Sequence, residues 1–227
     1  MGSTRLPGKV LKPLGNKFAL EILLARLSAS VKIDTICVAT STLKTDNLLC
    51  DAVLQLGIPV YRGSENDVLS RFYEAAKHYE ADIIVRITGD CPLIDPTLVT
   101  KIIDMFEENN VDYVSNINPP TFPDGLDVEV FSFKCLRTSH FEATSTYDRE
   151  HVTPYMRAGA FKTLNYRSNV DFSHLRITLD HAEDLIVINN IIENFSPNTY
   201  FDYMSIIEYL DKNSLIFSFR DPSSLFT

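Results

Sequence analysis

Short β-branched runs alternate with stretches of helical length along most of the chain, and this rhythm limits the fold more than any other feature. Residues 18–30 place Leu20, Ile22, Leu23, Leu24 and Leu27 on one broad apolar helical face. "TICVAT" (35–40) reads as a buried strand, 46–56 as a helix stopped by Gly57, and "IPVYRG" as a second strand. Residues 67–79 read as a helix capped by Asn66 or Asp67. "DIIVRITGD" is a strand running into Asp90, and residues 95–108 are a helix with Pro96 in its first turn. "VDYVSN" is a further strand. Strands separated by helices need crossover connections, which predicts an α/β fold with a mostly parallel sheet flanked by helices. Ligands of such sheets sit beyond the carboxyl ends of the strands.

From about residue 119 the rhythm changes. "DVEVFSF" alternates with period two and predicts an exposed-edge or antiparallel strand. Helices over 134–143 and 149–157 follow, then a strand at "FKTLNYR". "HLRITLD" restores buried-strand character, and 182–195 is a helix. Residues 119–170 are expected to form an excursion from the main sheet, within one domain covering 1–227.

The formal charge of −9 at pH 7 argues against general nucleic-acid binding but leaves room for one small anion on a local basic loop. Cys37, Cys50, Cys91 and Cys135 form no CxxC pair and no zinc spacing, so reduced thiols are expected. No apolar run reaches membrane-span length and no signal-peptide core opens the chain, so a cytoplasmic location is expected.

The chain opens "MGSTRLPGKVLKPLG", where Arg5, Lys9 and Lys12, followed by Lys17, precede the first acid, Glu21. Glycines allow backbone amides to approach a phosphate, and Arg and Lys neutralise it. Five residues separate Gly2 from Gly8, and Val10 follows Lys9, so this is not a P-loop of the Walker type. The stretch reads either as an anion loop or as a solvated terminus. Two further segments end in acids: "RITGD" at Asp90 and "RITLD" at Asp180. Alone, each aspartate reads equally as a turn or helix cap. As neighbouring strand ends they would face each other across the ligand crevice, opposite the basic loop. Two carboxylates suit Mg²⁺, and the set suits nucleotidyl transfer from a nucleoside triphosphate.

Longer stretches carry a resemblance: "MGSTRLPGKVLKPL", "RGSENDVLSRFYEAA", "DIIVRITGDCPLIDP", "DYVSN", "TFPDGLDVEVFSF" and "REHVTPYMR". Over about residues 1–195 the chain resembles the spore-coat polysaccharide-type cytidylyltransferases, which belong with the acylneuraminate cytidylyltransferases (CMP-sugar synthetases). The resemblance implies a fold like the nucleotide-diphospho-sugar transferases, CTP and a sugar acid as substrates, Mg²⁺ as cofactor, and a homodimer made through residues 119–165. It places Arg5 and Lys9 on the triphosphate, with Gly2, Ser3, Thr4, Gly8, Arg71, Arg86 and Thr88 around the nucleotide. Asp90 and Asp180 would hold the metal, and Asp127 and Glu129 would lie on the acceptor side. "LDHAEDL" stands where relatives have "VDTPEDL", so the carboxylate is kept while the following turn differs. For Arg71 and Arg86 a structural salt bridge is an equal reading.

In the resembled family a short central strand ending in "QAR" precedes this opening motif. Its loss would make the sheet marginal and implies a truncated chain or a misassigned start. Two rival functions follow from the residues. Asp127-Val128-Glu129 is a candidate acid pair for a nucleotide-sugar glycosyltransferase, and a truncated chain could be an inactive homologue or a partner subunit.

Overall fold

The computed structural model describes residues 2–213. Its opening stretch is ordered by its own apolar anchors. Leu6 and Leu14 are buried, and a 3-10 turn at Lys9–Leu11 leads into a hairpin of β1 (Pro13–Leu14) and β2 (Lys17–Phe18). The hairpin delivers the chain to α1 (Ala19–Leu27), which buries the five apolar residues expected of it. Strand β3 (Val38–Ser41), helix α2 (Asn47–Gln55) and strand β4 (Val60–Gly63) form a parallel unit, with Val38 opposite Val60. Helix α3 (Val68–His78) starts where Asp67 accepts the Ser70 N–H. After β5 (Ile83–Arg86), helix α4 (Pro96–Glu108) starts where Asp95 accepts the N–H groups of Thr97 and Leu98. Both carboxylates satisfy donors that a helix start leaves orphaned.

The remaining elements are β6 (Tyr113–Ser115), β7 (Glu129–Ser132), α5 (Phe133–Glu142), α6 (Thr146–His151), β8 (Thr163–Asn165), α7 (Ala182–Phe195) and α8 (Tyr203–Lys212). The α/β architecture is as expected, but its larger sheet is mixed, in the order β5-β7-β6-β8. Strand β7 runs antiparallel to both neighbours, and β8 runs parallel to β6. The period-two strand is therefore antiparallel but is no edge: Glu129, Val130 and Phe131 are all buried. A charged residue survives there because Arg86 and Tyr113 pair with it. Strands β7 and β8 lie inside 119–170, so that region is built into the main sheet rather than set apart from it.

Three other expectations change. "HLRITLD" forms no ladder; it is an extended segment with one bridge, Asp124 to Arg176. Leu175, Ile177 and Leu179 point inward, and that alternation gave the strand signal. The helix expected over 149–157 breaks at Val152, whose φ of 73° ends α6, and resumes as a wider turn at Met156–Ala160. Helix α8 was not foreseen. It begins at Asp202, which accepts the Ser205 N–H, and buries Ile206 and Leu210. Most of the C-terminal tail, residues 214–227, lies outside the described residues.

The pleat of the mixed sheet divides two cores. Val114 and Val130 join α1, α4, α7 and α8 in one cluster. Their neighbours Tyr113 and Phe131 join α3 and α5 in the other. No helix among the described residues is long and apolar enough to cross a membrane. Arg26, on α1, is fully buried and ties the larger cluster together. It donates to the carbonyls of Ile94, Thr199 and Phe201 at 2.8, 2.6 and 2.8 Å. Burial lowers its pKa to about 10, so it remains charged at neutral pH. Arg26→Met strands three carbonyls and should lower stability by about 3 kcal/mol, measured by chemical denaturation.

The sheet is interrupted. Among the described residues β3 pairs only with β4, and β5 only with β7. A cavity of about 800 Å³ lies between their other edges, lined by Leu20, Leu24, Val38, Ala39, Val85 and Ile87. The strand at 35–40, which read as buried, is therefore only half-buried at Val38; Val85 and Ile87 are half-buried too, and Ile83 is 38% exposed. A second cavity beyond the end of β3 is lined by Gly2, Thr40 and Ser41. Adding a five-residue Val/Ile segment ahead of Met1 should raise the melting temperature by about 5 °C if it seats as a strand. An unchanged melting temperature would show that the cavity does not take one.

Candidate active site

The basic loop and the two acidic segment ends meet. Gly8, at φ 67°, turns the chain into the Lys9–Leu11 turn. Lys9 is thereby aimed at the strand ends, and its Nζ donates to Asp90 Oδ2 at 2.7 Å and to Asp180 Oδ1 at 2.8 Å. The side chains of Lys9, Asp90 and Asp180 are 17%, 24% and 13% exposed, so screening is limited. Arg5 reaches Asp180 Oδ1 at 3.2 Å from a more exposed position. The opening stretch is thus a docked cationic loop, not a solvated terminus.

The two acidic segments are fastened to each other through the backbone. Leu179 N–H donates to the Asp90 carbonyl at 2.8 Å, and the Thr178 hydroxyl donates to the same oxygen at 3.2 Å. This contact, rather than a shared strand ladder, sets Asp90 against Asp180. Gly89 allows the close approach of the opening loop, because a Cβ there would lie 3.2 Å from Val10. Asp180 is oriented from behind by Arg176, whose Nη2 donates to its Oδ2 at 3.2 Å. Asp184 accepts the backbone N–H groups of Asp180 and His181, both at 2.7 Å. Neither Asp184 nor Arg176 is singled out by the sequence motifs. The spacing Arg176–Asp180–Asp184, in steps of four, was the available signal.

Charge follows the geometry. Burial alone would lower the Lys9 pKa, but the charges of Asp90 and Asp180 and the hydrogen bonds to them leave it above the ordinary lysine value. Burial works the other way on Asp180, where Lys9, Arg5 and Arg176 outweigh it and hold the carboxyl below its usual range. Asp184 is held low by Arg176 and the two backbone donors, against its burial.

The other expected site residues separate into two groups. Gly2 lies beside Glu65 at the mouth of a cavity of about 460 Å³, lined also by Thr40, Ser41, Asp46 and Arg71. Ser3 accepts the Leu6 N–H, and Thr4 is exposed on the loop. Arg71 packs its stem beneath Gly63, and burial lowers its pKa. The Thr88 hydroxyl lies 3.2 Å from Cys91 Sγ, next to Asp90. Asp127 is half-buried on the same side. The Cys91 thiol is pushed well above its ordinary pKa by burial first, then by the charges of Asp90 and Asp127. Arg86 and Glu129 do not join the site. Glu129 is 1% exposed, ion-paired to Arg86 and hydrogen-bonded by Tyr113 at 2.6 Å. That buried pair is structural, and it removes Asp127-Val128-Glu129 as a metal-binding acid pair and with it the glycosyltransferase reading.

A cytidylyltransferase family model matches residues 1–195. The chain belongs to the cytidylyltransferase family. The spore coat polysaccharide biosynthesis protein SpsF of Bacillus subtilis is 32% identical, over 94% of this chain and 91% of its own length. A 3-deoxy-manno-octulosonate cytidylyltransferase of Trichlorobacter lovleyi is 33% identical over 48% of this chain and 42% of its own. A solved cytidylyltransferase structure from Leptospira borgpetersenii superposes with a TM-score of 0.91 and 36% identity, covering 95% and 92% of the two chains. This cytidylyltransferase therefore has the nucleotidyltransferase fold expected of it, with Lys9 meeting Asp90, in the turn after β5, and Asp180, at the end of the extended segment before α7.

Asp180 and Asp184 have depressed pKa values, so their contribution to stability is complete above about pH 4, the unfolded carboxylate value, and is lost as pH falls through the lower folded values. Asp184→Asn should flatten that acid limb and remove about 2 kcal/mol at neutral pH, read from melting curves between pH 2 and 7.

Proposed function

We propose that this cytidylyltransferase is a CMP-sugar synthetase, joining CMP from CTP to a hydroxyl of a sugar acid and releasing pyrophosphate. The observation that carries the reading is the bridging of Asp90 and Asp180 by Lys9 at the strand ends. A site that holds an ammonium between two carboxylates has the donor set for a hard divalent cation. Mg²⁺ keeps several waters and takes phosphate oxygens, so it needs few protein carboxylates. Asp90 and Asp180 would hold it, and it would supply electrostatic stabilisation of charge at the α-phosphate.

The chain's own groups do the rest. Lys9 and Arg5 lie where a triphosphate would meet them, and both stay cationic partners for its oxygens once released from the aspartates. The acceptor hydroxyl oxygen bonds to the α-phosphorus and gives its proton to water, while the bond from that phosphorus to the bridging oxygen breaks in line and pyrophosphate departs with the bonding pair. The cavity beside Gly2, Thr40 and Arg71 has the place and polarity for the cytidine. The loop carrying Asp127 flanks the same carboxylates on the acceptor side. Sugar acids are favoured because the matching 3-deoxy-manno-octulosonate enzyme acts on one. A homodimer through 119–165 fits the exposed Phe141 and Tyr147, which are 66% and 54% exposed.

Thermal shift of the 227-residue chain with CTP, ATP, GTP and UTP, each with and without Mg²⁺, tests the reading. A metal-dependent shift selective for CTP is expected, followed by pyrophosphate release with a sugar acid. Lys9→Met should lower kcat by about 10²–10³. No shift with any nucleotide would support an inactive homologue instead.

A further inference from the structure

Arg176 stands where three segments meet. It grips Asp184 at both oxygens, from Nη2 at 2.8 Å and Nε at 3.3 Å, and shares Nη2 with Asp180 Oδ2. Its Nη1 lies 3.6 Å from Asp124 Oδ2. The Arg176 side chain is 15% exposed; burial opposes its charge, but the surrounding carboxylates outweigh that and hold its pKa above the ordinary arginine value. Asp180 is therefore divided: Oδ2 faces Arg176, and Oδ1 faces Lys9 and Arg5.

The Asp124 loop is fastened to the same segment through the backbone. Asp124 N–H donates to the Leu175 carbonyl at 3.0 Å, and Ile177 N–H donates to the Asp124 carbonyl at 2.7 Å. Gly125, at φ 105°, presses so close that a Cβ would lie 2.7 Å from Ile177 C and Thr178 N. Loop 123–127 and segment 175–180 are therefore packed as one unit. That unit carries Asp180 at one end and Asp127 at the other.

We propose that Arg176 is a positioning residue that fixes which oxygen of Asp180 faces the reaction and couples that carboxylate to the 123–127 loop on the acceptor side. The inference rests on the nucleotidyl-transfer reading above. Its physical basis is charge balance. If Lys9 and Arg5 turn to a triphosphate, Asp180 gives up two cations on its front, while Arg176 still holds its back. A planar fork spanning Asp180 and Asp184 fixes orientation as well as charge, which a lysine ammonium cannot do. Partners that orient a metal-binding carboxylate are worth about 10–100-fold in metal affinity or activity.

The test compares full-length wild type with Arg176→Gln, Arg176→Lys, Asp124→Asn and Asp184→Asn. Mn²⁺ binding in the presence of CTP is read by the free-Mn²⁺ EPR signal, alongside kcat, KM for CTP and the melting temperature. Arg176→Gln should weaken Mn²⁺ binding about tenfold and lower kcat about tenfold, with KM for CTP changed less than about twofold. Arg176→Lys should recover part of the Mn²⁺ affinity but not kcat, and Asp124→Asn should raise KM for the acceptor at unchanged Mn²⁺ affinity. Arg176→Gln with wild-type Mn²⁺ affinity overturns the proposal. So does a loss that merely tracks melting temperature and is matched by Asp184→Asn. A wild-type chain that binds neither CTP nor Mn²⁺ overturns the functional reading and this one together. A functional wild type with an indifferent Arg176→Gln overturns this one alone.

Discussion

The ion pair of Lys9 with Asp90 and Asp180 is the constraint on which the site depends. It joins segments 81 and 171 residues apart in sequence. Two carboxylates this close repel one another, and in a partly buried setting that repulsion is weakly screened. A cation between them offsets that repulsion. The protein supplies one from its own opening loop, and Lys9 thereby closes the crevice between the basic loop and the strand ends.

Everything around that pair serves to deliver three side chains to one point. Gly8 turns the loop, and the buried Leu6 and Leu14 hold it down. Hydrogen bonds from Leu179 and Thr178 to the Asp90 carbonyl set the spacing of the acidic segments. Arg176 and Asp184 set the orientation of Asp180. Farther out, Arg26 locks α1 to the carbonyls at 94, 199 and 201, so the helix that follows the loop has a fixed base. Buried Arg26 is held by backbone carbonyls, Asp184 by Arg176 and two backbone N–H groups, and Glu129 by Arg86 and Tyr113, which keeps their burial tolerable.

Local signals in the sequence were read correctly where the structure is local. Pro96 after Asp95, and Asp67 before Val68, mark real helix starts, because capping involves neighbours only. Asp90 and Asp180 were legible as a pair because each ends an apolar run at the same offset. Partners distant in sequence were not legible. Nothing in "DVEVFSF" says that Arg86 and Tyr113 will pair with Glu129, so the strand read as exposed-edge or antiparallel, of which only the second holds, and a buried acid was placed on the acceptor side by resemblance. Arg176 was hidden only in part: Asp180 and Asp184 follow it at a local spacing of four, but Asp124 joins it only when the 123–127 loop packs on the 175–180 segment.

The interruption between β3 and β5 has a consequence beyond stability. Each edge presents a row of backbone donors and acceptors backed by apolar side chains, which is the template on which strands of other molecules assemble. Lys, Pro and bulges, the usual guards of such edges, are absent from the residues of both strands, Val38–Ser41 and Ile83–Arg86. A strand supplied by another segment or by a second copy would complete the ladder at either edge, so the gap is a place where chain and partner could exchange.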